Sequence, residues 1–99
     1  MYMIPISAVP NQNVAVTIND VPIVISIRTF RGISYFSFHN ENDSTYDVNG
    51  IRAVQFVNLL SSDLTRLLGG KLFLQTDNDE YPDYTKYGTV GNYLLFKEN

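Results

Sequence analysis

Alternation with a period of two runs through the first half of the chain and sets its fold class. Val14, Val16 and Ile18 alternate with Asn13, Thr17 and Asn19. Such spacing sends successive side chains to opposite faces of an extended strand, one toward a core and one toward water. Asn19-Asp20 reads as a turn, after which Ile23, Ile25 and Ile27 alternate with Ser26 and Arg28. Pro22 suits the first position of that second strand, where its missing donor does little harm. Arg31-Gly32 reads as another tight turn and leads into an aromatic-rich strand from Ile33 to Phe38. A polar loop follows from His39 to Thr45.

Asn49-Gly50 is the strongest hairpin signal in the chain, since both residue types accept the positive φ of a type I′ turn. A hairpin there sets Val48 opposite Ile51, Asp47 opposite Arg52 and Tyr46 opposite Ala53, with the two charges favouring the register by up to ~1 kcal/mol. The run Ala53, Phe56, Val57, Leu60, Leu64, Leu67 also fits helical spacing. Two readings stay open. One is a strand through about Val57 followed by a short helical turn, capped at Ser61-Ser62-Asp63 and ended by Gly69-Gly70; the other is one longer helix. Lys71 to Thr76 resumes as a strand, and Tyr93-Leu94-Leu95-Phe96 forms the last. That last run is apolar on both faces, so it is central or covered by another chain. The expectation is a single all-β domain over 1–99, a small antiparallel barrel or sandwich with one short helix or helical turn.

A chain of 99 residues supports one modest core. Charged residues make up 17%, below the usual ~25%, which suits a surface partly neutral or covered by a partner. The net charge of −3 and the absence of adjacent basic residues argue against nucleic acid, whose binding rewards Lys and Arg patches. Zero cysteines exclude disulfides, Cys-ligated zinc, iron–sulfur clusters and cysteine nucleophiles together. No signal peptide is evident at MYMIPIS, and no run approaches the ~20 apolar residues that span a bilayer. The chain reads as soluble, with no membrane partner.

Thr76 to Gly88 reads TDNDEYPDYTKYG and holds the whole charge imbalance, with Asp77, Asp79, Glu80 and Asp83 against Lys86. Glycosidase chemistry needs two carboxyls facing across a cleft ~5–9 Å wide, which neighbours in a loop rarely form. Asp77, Asp79 and Asp83 suggest an oxygen-rich calcium loop, but the glycine and closing Glu of an EF-hand are absent. The plainest reading is a solvated turn in which Asp77 or Asp79 bonds the local backbone. His39, the single histidine, has no nucleophile or orienting acid in a motif around it. Gly69-Gly70 lacks the pattern of a phosphate loop. Tyr35, Phe36 and Phe38 could stack on bases, but without basic neighbours they read as core or interface. No catalytic, metal or cofactor set emerges.

Three stretches together carry a resemblance: Ile4-Pro5-Ile6 running into Val9-Pro10-Asn11-Gln12, then Arg28-Thr29-Phe30-Arg31-Gly32, then Thr76 through Thr85 with Tyr87-Gly88 after it. In this order and spacing the chain resembles the small plug protein family of cyanophage-type myovirus baseplates, found in tailed phages and prophages. The middle, from Asn40 to Leu68, adds nothing to the match. The resemblance implies a virion structural protein of the tail baseplate, not an enzyme, assembled in the host cytoplasm. It implies a position at the hub, near the tail tube and tape measure, closing or bridging the lumen until contraction. The implied partners are hub, tail-tube or tape-measure proteins and further copies of the chain. Asp79, Glu80, Tyr81, Tyr84 and Tyr87 are then expected at a contact with the hub or a neighbouring subunit, and Tyr93 and Phe96 under another chain or between layers. The alternative is a free small-ligand or calcium-binding β-barrel.

Overall fold

The computed structural model describes residues 2–88 and 91–99. Among these residues seven strands are present: β1 (Tyr2–Ile4), β2 (Asn11–Ile18), β3 (Val21–Phe30), β4 (Ile33–Asn40), β5 (Val48–Arg52), β6 (Gly70–Thr76) and β7 (Asn92–Glu98). One helix, α1 (Ser62–Leu68), stands between β5 and β6. The strands β2-β3-β4-β5 form an antiparallel meander, and β1-β7-β6 form a second antiparallel sheet. Only a short bridge, Gln55 to Leu74, follows β5 onto β6. The strands therefore make a two-sheet sandwich, one of the two forms expected, and among the described residues no closed barrel is seen.

The alternation read from sequence becomes the packing. Ile23, Ile25 and Ile27 on β3, with Phe36 and Phe38 on β4, are at most 2% exposed. They share one core with Leu72, Leu74, Leu94 and Phe96 of the other sheet and with Leu64 and Leu68 of α1. Both early turns are two-residue hairpins. Ile18 pairs with Val21 and Phe30 with Ile33, and Asn19, Asp20, Arg31 and Gly32 all carry positive φ, as a type I′ turn requires.

Asn49-Gly50 does not turn the chain. It lies inside β5, where Phe36 pairs with Ile51 and Phe38 with Val48, so Asn49 and Gly50 together oppose Ser37 alone. Gly50 has φ 67° while Asn49 does not share the left-handed conformation. This is a glycine bulge, and the Gly50 N–H donates to Ser37 Oγ at 3.0 Å. The pairs expected across a hairpin are accordingly absent. Arg52 faces Tyr35, and Asp47 accepts from the Asn40 N–H and bonds His39. The reversal comes earlier, in a short 3-10 turn at Ser44–Tyr46 that Asp43 caps by accepting from the Thr45 N–H.

The strand expected through Val57 ends at Arg52, and the short-helix reading holds. Ser61 Oγ accepts from the Leu64 N–H at 3.2 Å, and Gly69 closes α1 in the left-handed conformation at φ 76°. Asn19 adds a cap that the sequence did not reveal, its Nδ2 donating to the Leu68 carbonyl at 2.6 Å. Strand β7 is central in its sheet, with Leu94 and Phe96 in the core and Tyr93 and Leu95 half-buried on the outer face.

Candidate functional site

The segment from Thr76 to Gly88 emerges from β6 at one end of the sandwich as two 3-10 turns, Asp77–Asp79 and Tyr84–Lys86. Asn78 and Asp79 sit at φ 53° and 56°, a conformation that Asn and Asp tolerate better than other side chains with a Cβ. The loop has no regular ladder, so its backbone is held by individual bonds. Thr76 Oγ1 donates to the Glu80 carbonyl at 2.6 Å. Asn92 Oδ1 accepts from the Asp83 N–H at 2.9 Å, and the Asn92 carbonyl accepts from the Gly88 N–H at 2.8 Å. The Asp77 N–H donates to the Gly91 carbonyl. Gln55 Nε2 reaches the Asp79 carbonyl at 3.2 Å, while its Oε1 is buried without a partner among the described residues.

The carboxylates do different work. Asp83 caps the second turn by accepting from the Thr85 N–H and hydroxyl at 3.0 and 2.8 Å, and these bonds, the hydroxyl first, hold its pKa below the usual carboxylate range. The backbone-binding Asx role expected of Asp77 or Asp79 thus falls to Asp83. Glu80 accepts from Lys86 Nζ at 3.0 Å, and this bond, with the attraction of the acids around it, raises the lysine pKa. Asp79 and Glu80 remain exposed.

The five aromatic positions separate by burial. Tyr81 is 80% exposed, the most exposed large hydrophobic side chain of the described residues. Tyr84 is half-buried and packs on the edge of the core. Tyr87 is inside it, at 1% exposure, and donates its hydroxyl to Ser34 Oγ at 2.6 Å. Ser34 in turn bonds Thr29 Oγ1 at 2.8 Å. Burial, the largest influence, raises the Tyr87 pKa against the opposing effect of Ser34. Phe96 is fully buried and Tyr93 half-buried. Tyr87 therefore presents no surface to another chain and acts by holding the domain together, a correction to its expected place at a contact, while Phe96 packs between the layers, one of the two places expected for it.

Beside the loop lies a cleft of about 390 Å³, bounded by Tyr81-Pro82, the β3–β4 turn at Gly32-Ile33, Arg52 at the end of β5 and Val54 just past it. Val54, Phe56 and Val57 are exposed along the same connection that supplies Gln55. Sequence reasoning missed this connection, because its apolar residues followed helical spacing while no helix forms there. It also missed Asn92, whose one visible signal is an Asn set directly before an otherwise apolar strand.

Among the described residues no three His, Asp or Glu side chains group as metal ligands, and the calcium-loop alternative finds no support in the geometry. No helix among them is long and apolar enough to cross a membrane. No curated protein matches the chain. A family model described as "Cyanophage baseplate Pam3 plug gp18" matches residues 1–99. The chain belongs to that cyanophage baseplate plug family and is a non-enzymatic structural protein of the phage tail baseplate.

Proposed function

We propose that the domain plugs or bridges the lumen at the baseplate hub and meets its neighbours through the acidic tyrosine loop. The partners in this reading are hub, tail-tube or tape-measure proteins and further copies of the chain. The observation that carries it is Tyr81, a large side chain 80% exposed on a loop tied down through Thr76, Asp83, Asn92 and Gly88. A tied loop loses little freedom on docking, and tyrosine offers contact area at low entropic cost. Asp79 and Glu80 flank it and orient a basic partner surface more than they add affinity. Tyr84 supports the loop from beneath, and Tyr93 extends the contact onto the outer face of the β1-β7-β6 sheet beside the half-buried Leu95 and Phe73.

The double substitution Asp79→Asn, Glu80→Gln tests the reading. Asn tolerates the positive φ of Asp79, and both carboxylates are exposed, so unfolding should shift by no more than about 0.5 kcal/mol. Incorporation into baseplates should fall, and its dependence on salt should weaken. Normal incorporation with unchanged salt dependence would reduce the loop to an ordinary surface turn.

A further inference from the structure

Each sheet edge exposes main-chain donors and acceptors, and proteins guard such edges against pairing with other chains. Three of the four edges here carry a guard. β1 is three residues long. β5 is interrupted by the Gly50 bulge. The outer side of β6 is covered by the connection before α1, where the Phe56 N–H donates to the Leu74 carbonyl at 3.0 Å and the Leu59 N–H to the Leu72 carbonyl at 2.7 Å. β2 has none of these. Its eight residues NQNVAVTI hold no charge and no proline, its pairing with β3 is unbroken from Asn11 to Ile18, and among the described residues no backbone bond reaches its outer side.

The register fixes which groups point outward. A two-residue hairpin closes on a hydrogen-bonded pair, here Ile18 with Val21, and antiparallel bonding then alternates. Val16, Val14 and Gln12 bond inward to β3. The main-chain groups of Thr17, Ala15, Asn13 and Asn11 face out. The bond from the Glu41 N–H to the Pro22 carbonyl places the even residues of β3 toward β4 and so agrees with this phase.

We infer that β2 is an interface strand whose occupant is β2 of a second copy, paired antiparallel about Ala15. The strand is its own complement in that register. Ala15 meets Ala15 of the second copy, and Asn13 meets Thr17, so the outward groups of these three positions satisfy one another through about six main-chain bonds. On the other face Val14 meets Val16, and these half-buried residues extend the core cluster they already pack against. No charge opposes another anywhere along the pair. The inference specifies the copy-to-copy part of the proposal above, and it is tested on purified protein, so its failure leaves the loop contact standing.

Sedimentation of the purified chain should show a concentration-dependent dimer. Ala15 is exposed, and Ala15→Lys, which sets two ammonium groups face to face at the symmetry axis, should leave a folded monomer. Ala15→Cys supplies the only thiol in a chain without cysteine. Paired Cα atoms at such a position lie about 5.5 Å apart, within disulfide reach, so mild oxidation should give a covalent dimer. Thr17→Cys, opposite Asn13, should cross-link much less. A wild-type chain that stays monomeric, with Ala15→Cys that does not cross-link, would overturn the inference. So would a dimer indifferent to Ala15→Lys, or equal cross-linking through Thr17→Cys.

Discussion

A methyl group added at Gly88 and one added at Gly50 ask different things of the structure. Both glycines have positive φ, 90° and 67°, and alanine pays about 1–2 kcal/mol for that conformation. At Gly50 nothing lies within 4 Å of the new atom, so that cost stands alone. At Gly88 the atom would fall 2.0 Å from the Ile6 carbonyl oxygen, and the loop or the segment after β1 must move. Gly50→Ala should therefore cost about 1–2 kcal/mol, and Gly88→Ala about 3–5 kcal/mol, in the range of the few severe mechanisms. Thermal unfolding separates them, since 1 kcal/mol shifts the midpoint of a domain this size by about 4–8 °C. Equal losses would mean that the approach of Gly88 to Ile6 does not exist. The same scale explains why Tyr87 was not legible as a core residue. Three tyrosines share one irregular loop, and the partner that takes the hydroxyl of the buried third is a serine 53 residues away, a relation that no local pattern carries.

Elements were legible where a local signal had one structural use. Asn19-Asp20 and Arg31-Gly32 join strands whose alternation is already in phase, and they form the turns expected of them. Asn49-Gly50 had two uses, since a glycine at positive φ serves a bulge as well as a type I′ turn. Ser37 on the neighbouring strand favours the bulge by accepting the Gly50 N–H, and β4 as a partner for β5 is not visible from the dipeptide. The helix was readable from its caps at Ser61 and Gly69, but not from the cap donated across the domain by Asn19. That cap makes a prediction. Asn19→Asp keeps a residue that tolerates φ 49° but removes the donor and sets a carboxylate against the carbonyl end of α1, which bears partial negative charge. It should cost about 1–3 kcal/mol, as an unsatisfied, partly buried carbonyl does. Asp20→Asn, in the same turn without such a bond, should stay within about 0.5 kcal/mol. Chemical denaturation of the two variants checks this, and equal stability would remove Asn19 as the link between hairpin and helix.

At the scale of the whole molecule, two sheets and one helix stabilise a domain without disulfides by burying aliphatic and aromatic side chains in a single core. The strand pattern carried that much of the fold. Closure into a barrel was not decidable from it, because sandwich and barrel share alternation and turn spacing, and only the pairing between distant strands distinguishes them. The site was legible as a charged and aromatic segment, while its exposed part, Asp79 to Tyr81, became distinct from its buried part only once Ser34 and Asn92 were in place. Membership of a baseplate plug family gives this surface its context. The most direct test of the account is a reconstruction of the intact tail baseplate by electron cryomicroscopy. The sandwich should lie at the hub across the lumen at the lower end of the tube, with Tyr81 and its flanking carboxylates against a neighbouring chain. Density for the domain only at the baseplate periphery, or at the hub with that loop facing open solvent, would contradict it.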